Sequence, residues 1–232
     1  FTTNGPETID TVLEHTYNGT ILKINTANSH NPLEITPEHP IYCLRNQKKG
    51  VNYDMIRNRL QKGFTKLEWV DAKDLTLDDM FIYTVPDYQK DVETITEDDC
   101  YMYGLLLGDG CMNNTSTTCY LSLNTTEKQH IIEFVKMYLT QRCIMFFETE
   151  ENNTTRIRWN KNSILPFRYT YLYNTNKHKH IHPTWMNLPL NKINQIIRGL
   201  IHTDGCIRSE ITFDSTSAQL INGLKYLLLR NG

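Results

Sequence analysis

The pattern of hydrophobic and polar positions changes character near residue 95. Before that point, short apolar segments alternate with turn residues, which predicts short β-strands. These strands are expected at residues 11–13, 20–24, 33–36, 41–44, 69–70 and 80–83. The polar and basic stretch 45–66 between two of them is predicted to be a loop or an insertion. We therefore expect a small all-β unit over residues 1–95.

From residue 97 the pattern becomes helical. The segment 97–108 begins with three acidic residues, which suit the positive end of a helix dipole, and continues with apolar residues. A strand is predicted at 120–123, an amphipathic helix from Thr126, and a β-hairpin between 144 and 159. These elements predict an α/β domain over residues 96–232.

A weak internal repeat runs through this second domain. Leu-Leu-Leu-Gly-Asp-Gly-Cys at 105–111 is similar to Leu-Ile-His-Thr-Asp-Gly-Cys at 200–206, and the segments that follow each copy also align. Each half therefore reads as helix, Asp-Gly, strand, helix. The predicted fold is a pseudo-twofold αββα repeat in which the second half has no counterpart of the first half's hairpin.

Small residues share one face of each repeated helix. Gly104 and Gly108 are four positions apart in the first copy, and Gly199 and Thr203 hold the same positions in the second. A glycine inside a helix costs roughly 1 kcal/mol relative to alanine. That cost is explained if another backbone packs closely against the face. We therefore predict that the two helices pair along these residues.

Asp109 and Asp204 follow the two helices, and each precedes a glycine. A carboxylate at a helix C-terminus is unfavourable by roughly 0.3–1 kcal/mol, and parallel pairing of the helices would bring the two charges together. Such a pair favours a raised pKa or a bound cation, and oxygen ligands suit Mg²⁺. A single Asp-Gly is also a common turn after a helix, but its repetition favours a metal site.

Charge is distributed unevenly although the formal net charge is only −2. Residues 87–109 contain seven acidic residues and one basic residue, whereas 152–209 contain nine Lys or Arg and one acidic residue. The basic stretch also carries aromatic residues: Trp159, Phe167, Tyr169, Tyr171 and Tyr173. It predicts either a nucleic-acid surface or a solvated face that is balanced by acidic residues folded beside it.

Two segments of the second domain carry a resemblance to a known family. Tyr103-Gly-Leu-Leu-Leu-Gly-Asp-Gly110 and Arg198-Gly-Leu-Ile-His-Thr-Asp-Gly205 resemble the two signature motifs of LAGLIDADG (DOD-type) homing endonucleases. The first domain resembles the Hint-type splicing domain of inteins, through the segment 33–40 and the segment 69–80, which is similar to the intein motif W-x-x-A-x-D-L-x-x-G-D. The whole chain thus resembles an intein in which a partial all-β splicing domain precedes an endonuclease domain.

The resemblance implies a Mg²⁺-dependent endonuclease that cuts a specific double-stranded DNA site. Asp109 and Asp204 would bind the metal ion, so that water attacks the phosphodiester. Lys179 would stabilise the developing charge, with Lys177 as the competing choice. The strands would form a saddle in the major groove of the DNA. The residues expected to contact DNA are Arg156, Arg158, Lys161 and Lys177.

The same resemblance assigns an auxiliary splicing role to Thr36 and His39, which would activate the N-terminal scissile peptide. The partners would be the two halves of a host protein (the exteins), such as a nucleic-acid-processing enzyme. Residue 1 is Phe rather than a nucleophile, and the chain ends Arg230-Asn231-Gly232 without a His-Asn pair. We therefore expect an internal fragment that lacks both splice junctions and cannot splice by itself. Without a signal sequence or a long apolar run, an intracellular location is expected.

Three alternatives remain open at this stage. The chain could be a decayed endonuclease that is retained only as a structural insert of an intein, although the intact Asp109 and Asp204 argue against decay. It could be a free-standing endonuclease or RNA maturase, although Thr36 and His39 argue against that. Separately, alternating histidines at 178, 180 and 182 could bind zinc or belong to a basic loop.

Overall fold

The computed structural model describes residues 9–26, 31–47, 50–82 and 88–231, and it divides the chain into two units, 1–85 and 86–232. The boundary between the units, after residue 85, lies upstream of the predicted boundary at residue 95. The ten residues between these two positions belong to the second unit. Ile95 is buried in that unit's core, and the amide of Lys90 donates to the carbonyl of Asn187 (2.8 Å). Among the described residues, no helix has the length and apolarity needed to cross a membrane.

The first unit contains two small antiparallel sheets. Strands β1 (Leu22–Ile24) and β2 (Leu33–Ile35) pair with each other. Strands β3 (Pro40–Leu44), β4 (Leu67–Asp71) and β5 (Met80–Phe81) form the second sheet in the order β4-β3-β5. A 3-10 turn, Ala72–Asp74, follows β4. The predicted strand at 11–13 is wrong, because that segment is exposed and forms no strand.

The segment 45–66 is not a loop throughout. It contains helix α1 (Tyr53–Gln61), which begins where the Asn52 side chain accepts a hydrogen bond from the Met55 amide (2.9 Å). Hydrophobic periodicity misses this helix because none of its residues is buried. The first unit is therefore not strictly all-β.

The second unit follows the predicted α/β order. Its helices are α2 (Glu97–Gly108), α3 (Gln129–Gln141), α4 (Tyr169–Leu172), α5 (Pro183–Met186), α6 (Leu190–Asp204) and α7 (Ala218–Arg230). Its strands are β6 (Gly110–Met112), β7 (Thr118–Asn124), β8 (Phe146–Glu151), β9 (Thr154–Asn160), β10 (Gly205–Ile207) and β11 (Ile211–Phe213). The series α2-β6-β7-α3 and α6-β10-β11-α7 are the two αββα halves that the repeat predicted.

An antiparallel sheet of order β6-β7-β9-β8 forms the first half's platform. Its side chains alternate between a buried and an open face: on β9, Thr155, Ile157 and Trp159 are buried, whereas Arg156 and Arg158 are exposed. The buried face joins a core that includes the apolar residues of α2 and α3. The predicted hairpin is confirmed, and its turn at Asn152 and Asn153 has positive φ at both positions, as a tight two-residue turn requires.

Helices α2 and α6 pack side by side and run parallel. Gly104 lies against the backbone of Ile196, Gly199 and Leu200, and Gly108 lies against the side chain of Thr203. The predicted pairing along small residues is confirmed. The contact fixes the C-termini of α2 and α6 beside each other.

The aromatic residues of the basic stretch contribute to the core. Trp159 and Phe167 are buried, and Tyr169, Tyr171 and Tyr173 pack against the core. Tyr103 of α2 stacks on Trp185, with ring centroids 4.1 Å apart, and its hydroxyl donates to the Tyr171 carbonyl (2.5 Å). Trp159 and Phe167 are therefore unavailable as a nucleic-acid surface, whereas a surface role for the three partly buried tyrosines stays a prediction.

A buried ionic network holds the N-terminal end of α2. Thr96 and Asp99 form a reciprocal capping box, in which the Thr96 hydroxyl accepts from the Asp99 amide (3.1 Å). The buried carboxylate of Asp99 also accepts from the Tyr138 hydroxyl (2.5 Å) and from the Arg142 guanidinium (2.8 Å). These contacts join α2 to α3 and hold the start of α2.

We predict that Gly199→Ala destabilises the second unit although alanine is the better helix former. A Cβ at this position would lie 2.5 Å from the Tyr101 carbonyl oxygen and 2.8 Å from the Leu105 nitrogen, and neither backbone atom can move aside. Overpacking of this kind costs about 1–3 kcal/mol. Urea unfolding followed by circular dichroism measures the change.

Gly223→Ala is the matched control, because Gly223 also lies inside a helix. The atoms nearest to its added Cβ belong to the Ile181 side chain, at 3.2 Å, which can shift. We expect a change of less than about 1 kcal/mol, since better helix propensity offsets the crowding. Equal effects of the two substitutions would contradict the close contact between α2 and α6.

Candidate active site

The paired helices bring two carboxylates to one place. Asp204 is the last residue of α6, and Asp109 follows Gly108 as the C-cap of α2. The two charges interact: burial raises the pKa of Asp204, the Asp109 carboxylate raises it further, and Lys179 and Lys128 oppose the change. Asp204 as a whole remains accessible to solvent, so its carboxylate can accept an incoming ligand.

Lys179 is the lysine that the structure brings to this pair. It is half-buried, its ammonium donates to the Gly108 carbonyl, and its charge interacts with both Asp204 and Asp109. Burial lowers the pKa of Lys179. Lys177, the competing choice, lies on the exposed turn before it, in the left-handed region with φ 62°. A backbone bridge between Tyr173 and Lys179 closes this turn.

Lys128, which the sequence analysis did not select, contacts the same centre. Its ammonium donates to the Asp109 carboxylate (2.6 Å) and to the Thr203 carbonyl (2.8 Å), so it joins the C-termini of α2 and α6. Lys128 is the N-cap residue of α3, where a positive charge opposes the helix dipole. A lysine at the start of a helix is therefore the sequence signal that could have identified this residue. The aligned position in the second half is Ala218, which carries no charge.

An open cavity of about 580 Å³ adjoins Lys179 and Asp204. Its remaining lining comes from the end of α2 and from the segment after β11: Leu107, Gly108, Asp214, Ser215 and Thr216. Asp214 adds a third carboxylate that the sequence analysis did not select. The cavity wall therefore carries two carboxylates, Asp204 and Asp214, and one half-buried ammonium.

The donor set suits a hard divalent cation. Mg²⁺ in phosphate-processing sites is held by one or two carboxylates and keeps waters and substrate oxygens as its other ligands. Asp109 and Asp204 provide those two carboxylates. Among the described residues there is no cluster of three or more His, Cys, Asp or Glu that could enclose a metal ion by itself. The site therefore fits a cation that is shared with a phosphate, rather than a fully enclosed structural ion.

Two of the predicted DNA-contacting residues lie on the open face of the sheet. The Arg156 Nε donates to the Ser122 hydroxyl (3.0 Å), and its guanidinium lies 5.2 Å from the Tyr120 ring centroid. Arg158 pairs across the sheet with Tyr120 on one side and Phe147 on the other. Both arginines are exposed, so this face offers positive charge beside polar and aromatic side chains.

The other two predicted residues lie near one loop. The Lys161 ammonium donates to the carbonyls of Asn113 (2.7 Å) and Asn114 (3.0 Å), so it closes the β6–β7 loop. Lys177 and Asn114 line a second open cavity, of about 530 Å³. Lys177 thus lies toward the β6–β7 loop.

Thr36 and His39 lie in the first unit, on the turn between β2 and β3. The His39 amide donates to the Thr36 carbonyl (3.1 Å), and the Ala72 amide donates to the His39 carbonyl (3.0 Å). The turn is thereby fixed against the 3-10 turn. His39 is exposed, and its splicing role stays a prediction.

The alternating histidines do not form a zinc site. The Nδ1 of His182 accepts from the Thr184 amide (3.3 Å), and the Nε2 of His180 pairs with the Thr170 carbonyl (3.2 Å). The ring centroids of these two histidines are 6.1 Å apart, and the described part of the chain has no three-ligand group. These two histidines instead fix the backbone around Lys179 and α5.

Comparisons with known proteins give partial matches. A family model described as a LAGLIDADG-like domain matches residues 191–232, a range that includes Asp204 but not Asp109. These residues are therefore LAGLIDADG-like, and the pairing of α2 with α6 places Asp109 beside them.

Two proteins of Methanocaldococcus jannaschii are similar in sequence. The ATP-dependent DNA helicase Hel308 is 27% identical over 217 residues, which is 85% of this chain and 17% of the helicase. The uncharacterized protein MJ0043 is 26% identical over 102 residues, which is 39% of this chain and 13% of that protein. The chain thus spans less than a fifth of either relative.

Among solved structures, two variants of I-DmoI in complex with target DNA in the presence of manganese are similar. Each match covers 58% of this chain. One has a TM-score of 0.43, 12% identity and 75% coverage of the I-DmoI chain. The other has a TM-score of 0.42, 13% identity and 76% coverage.

We predict that Asp204→Asn stabilises the second unit at neutral pH. Because the folded-state pKa of Asp204 is raised above 3.8, its ionisation costs folding free energy as the pH rises through that value. The gain should therefore shrink as the pH approaches 3.8 from above. It should stay below about 1 kcal/mol, since an accessible charge is screened. Thermal unfolding as a function of pH measures it.

The control is Glu133→Gln, which removes an exposed carboxylate from α3. It should give no comparable gain. Mg²⁺ should raise the melting temperature of the wild type more than that of Asp204→Asn, because the variant has lost one of the two ligands. A wild type and an Asp204→Asn variant that respond equally to Mg²⁺ would contradict the cation site.

Proposed function

We propose that the second unit is the catalytic part of a divalent-cation-dependent DNA endonuclease of the LAGLIDADG type. The observation that carries the proposal is the convergence of Asp109, Asp204 and Lys179 at the ends of two parallel helices. The match of residues 191–232 to the LAGLIDADG-like family model supports it. The structure therefore argues against loss of the catalytic constellation by decay.

Each residue of the centre has a distinct task. Asp109 and Asp204 would hold the cation, which when bound supplies positive charge to the scissile phosphate and to an attacking water. Lys179 places a half-buried ammonium beside both carboxylates, where it can stabilise negative charge that develops on the phosphate. Lys128 keeps Asp109 oriented toward α6 through its bond to the Thr203 carbonyl.

The open face of the β6-β7-β9-β8 sheet would bind the DNA duplex. Arg156 and Arg158 provide exposed guanidinium groups, which suit phosphate oxygens and the edge of guanine. Lys161 and Lys177 add positive charge near the β6–β7 loop. The names of the similar solved structures refer to I-DmoI bound to its own target DNA. The exposed cations of this face lead us to propose a double-stranded DNA target as the partner.

A second proposal concerns the first unit, which we infer to be part of a Hint-type intein splicing domain whose partners are flanking extein segments. The anchored turn that carries Thr36 and His39 supports it, as does similarity to the Hel308 helicase over 85% of this chain. A free-standing endonuclease fits the catalytic unit equally well. Mass spectrometry of the expressed full-length protein distinguishes them: a ligated product without this chain supports the intein, and an unspliced protein contradicts it.

We predict that the full-length protein cuts duplex DNA only with a divalent cation such as Mg²⁺ or Mn²⁺. Asp109→Ala and Asp204→Ala should each lower cleavage of at least one strand by about a hundredfold or more, because each removes a ligand for the cation. DNA binding should be retained. Cleavage of a duplex selected from a randomised library, with excess EDTA as the metal-free arm, measures both effects.

Lys179→Met and Lys177→Met form a matched pair. Removal of Lys179 should lower cleavage by about a hundredfold, since a preorganised charge beside the phosphate is lost. Removal of Lys177 should weaken DNA binding slightly and leave the cleavage rate at saturating DNA unchanged. Full cleavage in EDTA, or equal rates for the two lysine variants, would refute the proposed assignment.

A further inference from the structure

The insert between β3 and β4 is the most basic part of the first unit. Residues 45–66 contain seven Lys or Arg and one acidic residue, Asp54. The basic residues are Arg45, Lys48, Lys49, Arg57, Arg59, Lys62 and Lys66. The proposed catalytic centre and sheet face do not use this charge. A net charge of this size on so short a segment indicates an anionic partner.

Helix α1 presents two different faces. Ile56, Arg59 and Leu60 are half-buried and form the inner face. Arg57, Asn58 and Gln61 are exposed and share the outer face, since they follow the spacing of helical neighbours. Asp54 and Lys62, also exposed, lie at the two ends of this outer face.

Polar contacts fix the inner face of α1 to the strands. The Arg59 guanidinium donates to the Gln47 side-chain oxygen (3.3 Å). The Gln47 amide in turn donates to the Arg45 carbonyl (2.7 Å) and to the Thr65 hydroxyl (3.1 Å). Arg45 pairs with Asp79 (3.2 Å), so the chain of contacts ends on the β5 side of the sheet. Helix α1 is therefore an anchored element with an outward polar face.

A polar cavity of about 530 Å³ lies beside the helix. Its lining is rich in hydrogen-bond donors: Arg45, Asn46, Gln47, Arg59, Thr65 and Lys66, together with Phe64 and Glu68. Arginine, lysine and amide side chains at one place are the groups that proteins use to bind phosphate oxygens.

We propose that α1 is a second DNA-binding element of this protein and that its outer face enters the major groove. The inference rests on the proposed function, which supplies duplex DNA as the partner. Arg57, Asn58 and Gln61 face the base edges, and Lys62 and Lys66 contact the flanking phosphates. A helix fits the major groove, which is about 12 Å wide.

The residue types favour DNA over an acidic protein. Binding to an acidic protein surface would require only positive charge on α1. Helix α1 instead places an arginine and two amide side chains on one exposed face. Arginine pairs in a bidentate manner with guanine, and Asn or Gln pairs with adenine. DNA-binding proteins combine side chains that contact bases with cations that contact phosphates, and the lysines beside this face supply the second kind of contact.

The first experiment measures binding of the full-length protein to a mixed-sequence DNA duplex by fluorescence anisotropy over a range of salt concentrations. The test variant combines Arg57→Gln with Lys62→Gln, both at exposed positions. The control combines Lys23→Gln with Lys73→Gln, which removes the same charge from exposed side chains elsewhere in the first unit. Circular dichroism verifies that each variant is folded.

We expect the test variant to bind about tenfold more weakly, with a salt slope that is shallower by about 1, because the phosphate contact of Lys62 is lost together with the base contact of Arg57. The control should change affinity less than twofold. Equal affinities and salt slopes for the two variants overturn the proposal. A loss that is confined to an RNA duplex of the same length also overturns it, because the element would then read RNA.

The second experiment tests base reading. Selection of bound duplexes from a randomised library should show fewer preferred base positions for Arg57→Ala with Asn58→Ala and Gln61→Ala than for the wild type. Unchanged preferences overturn the major-groove assignment. The two proposals fail separately: cleavage that survives Asp204→Ala refutes the nuclease assignment, whereas α1 variants that bind like the wild type while Asp204→Ala abolishes cleavage refute only this inference.

Discussion

The contact between the backbones of α2 and α6 at Gly104 and Gly199 determines the rest of the second unit. Two helices approach this closely only where both lack side chains, and the contacts of Gly104 with Gly199 and of Gly108 with Thr203 show that they run parallel. Parallel helices end together, so Asp109 and Asp204 meet at the negative ends of two dipoles. The arrangement is electrostatically unfavourable by itself. Positive charge must therefore come from elsewhere, and Lys128 and Lys179 bring it from outside the helix pair.

That compensation is unequal between the two halves. Lys128 forms an ion pair with Asp109, whereas the aligned position in the second half is Ala218, so Asp204 has no equivalent partner within the described ranges of the chain. Lys179 reaches Asp204 only as a neighbour, and its ammonium is engaged by the Gly108 carbonyl. The carboxylate that is least neutralised is also the more accessible one, and it lines the open cavity. A bound cation would relieve the electrostatic repulsion that remains at Asp204.

Local periodicity in the sequence predicts α2, α3 and the hairpin, because each depends on neighbours within a few positions. The pairing of α2 with α6 is predicted from the small residues that recur in the two repeated segments. It does not reveal Lys128, whose partner Asp109 is nineteen positions away and on another element. Nor does composition distinguish buried from exposed aromatics: Trp159 and Phe167 lie in a basic stretch but fill the core. Helix α1 is not predicted because it buries no residue and therefore shows no apolar pattern in the sequence.

The two proposed DNA-binding surfaces obey one physical rule. On β9 the side chains alternate between the two faces, so that Thr155 and Ile157 are buried whereas Arg156 and Arg158 are exposed. On α1 the helical period does the same, with Arg59 and Leu60 turned inward and Arg57 and Asn58 turned outward. Anchoring and recognition thus occupy opposite faces of one element. Because folding depends on one face only, the exposed face can vary with the DNA sequence that it meets, while the helix pair that holds the carboxylates must stay fixed.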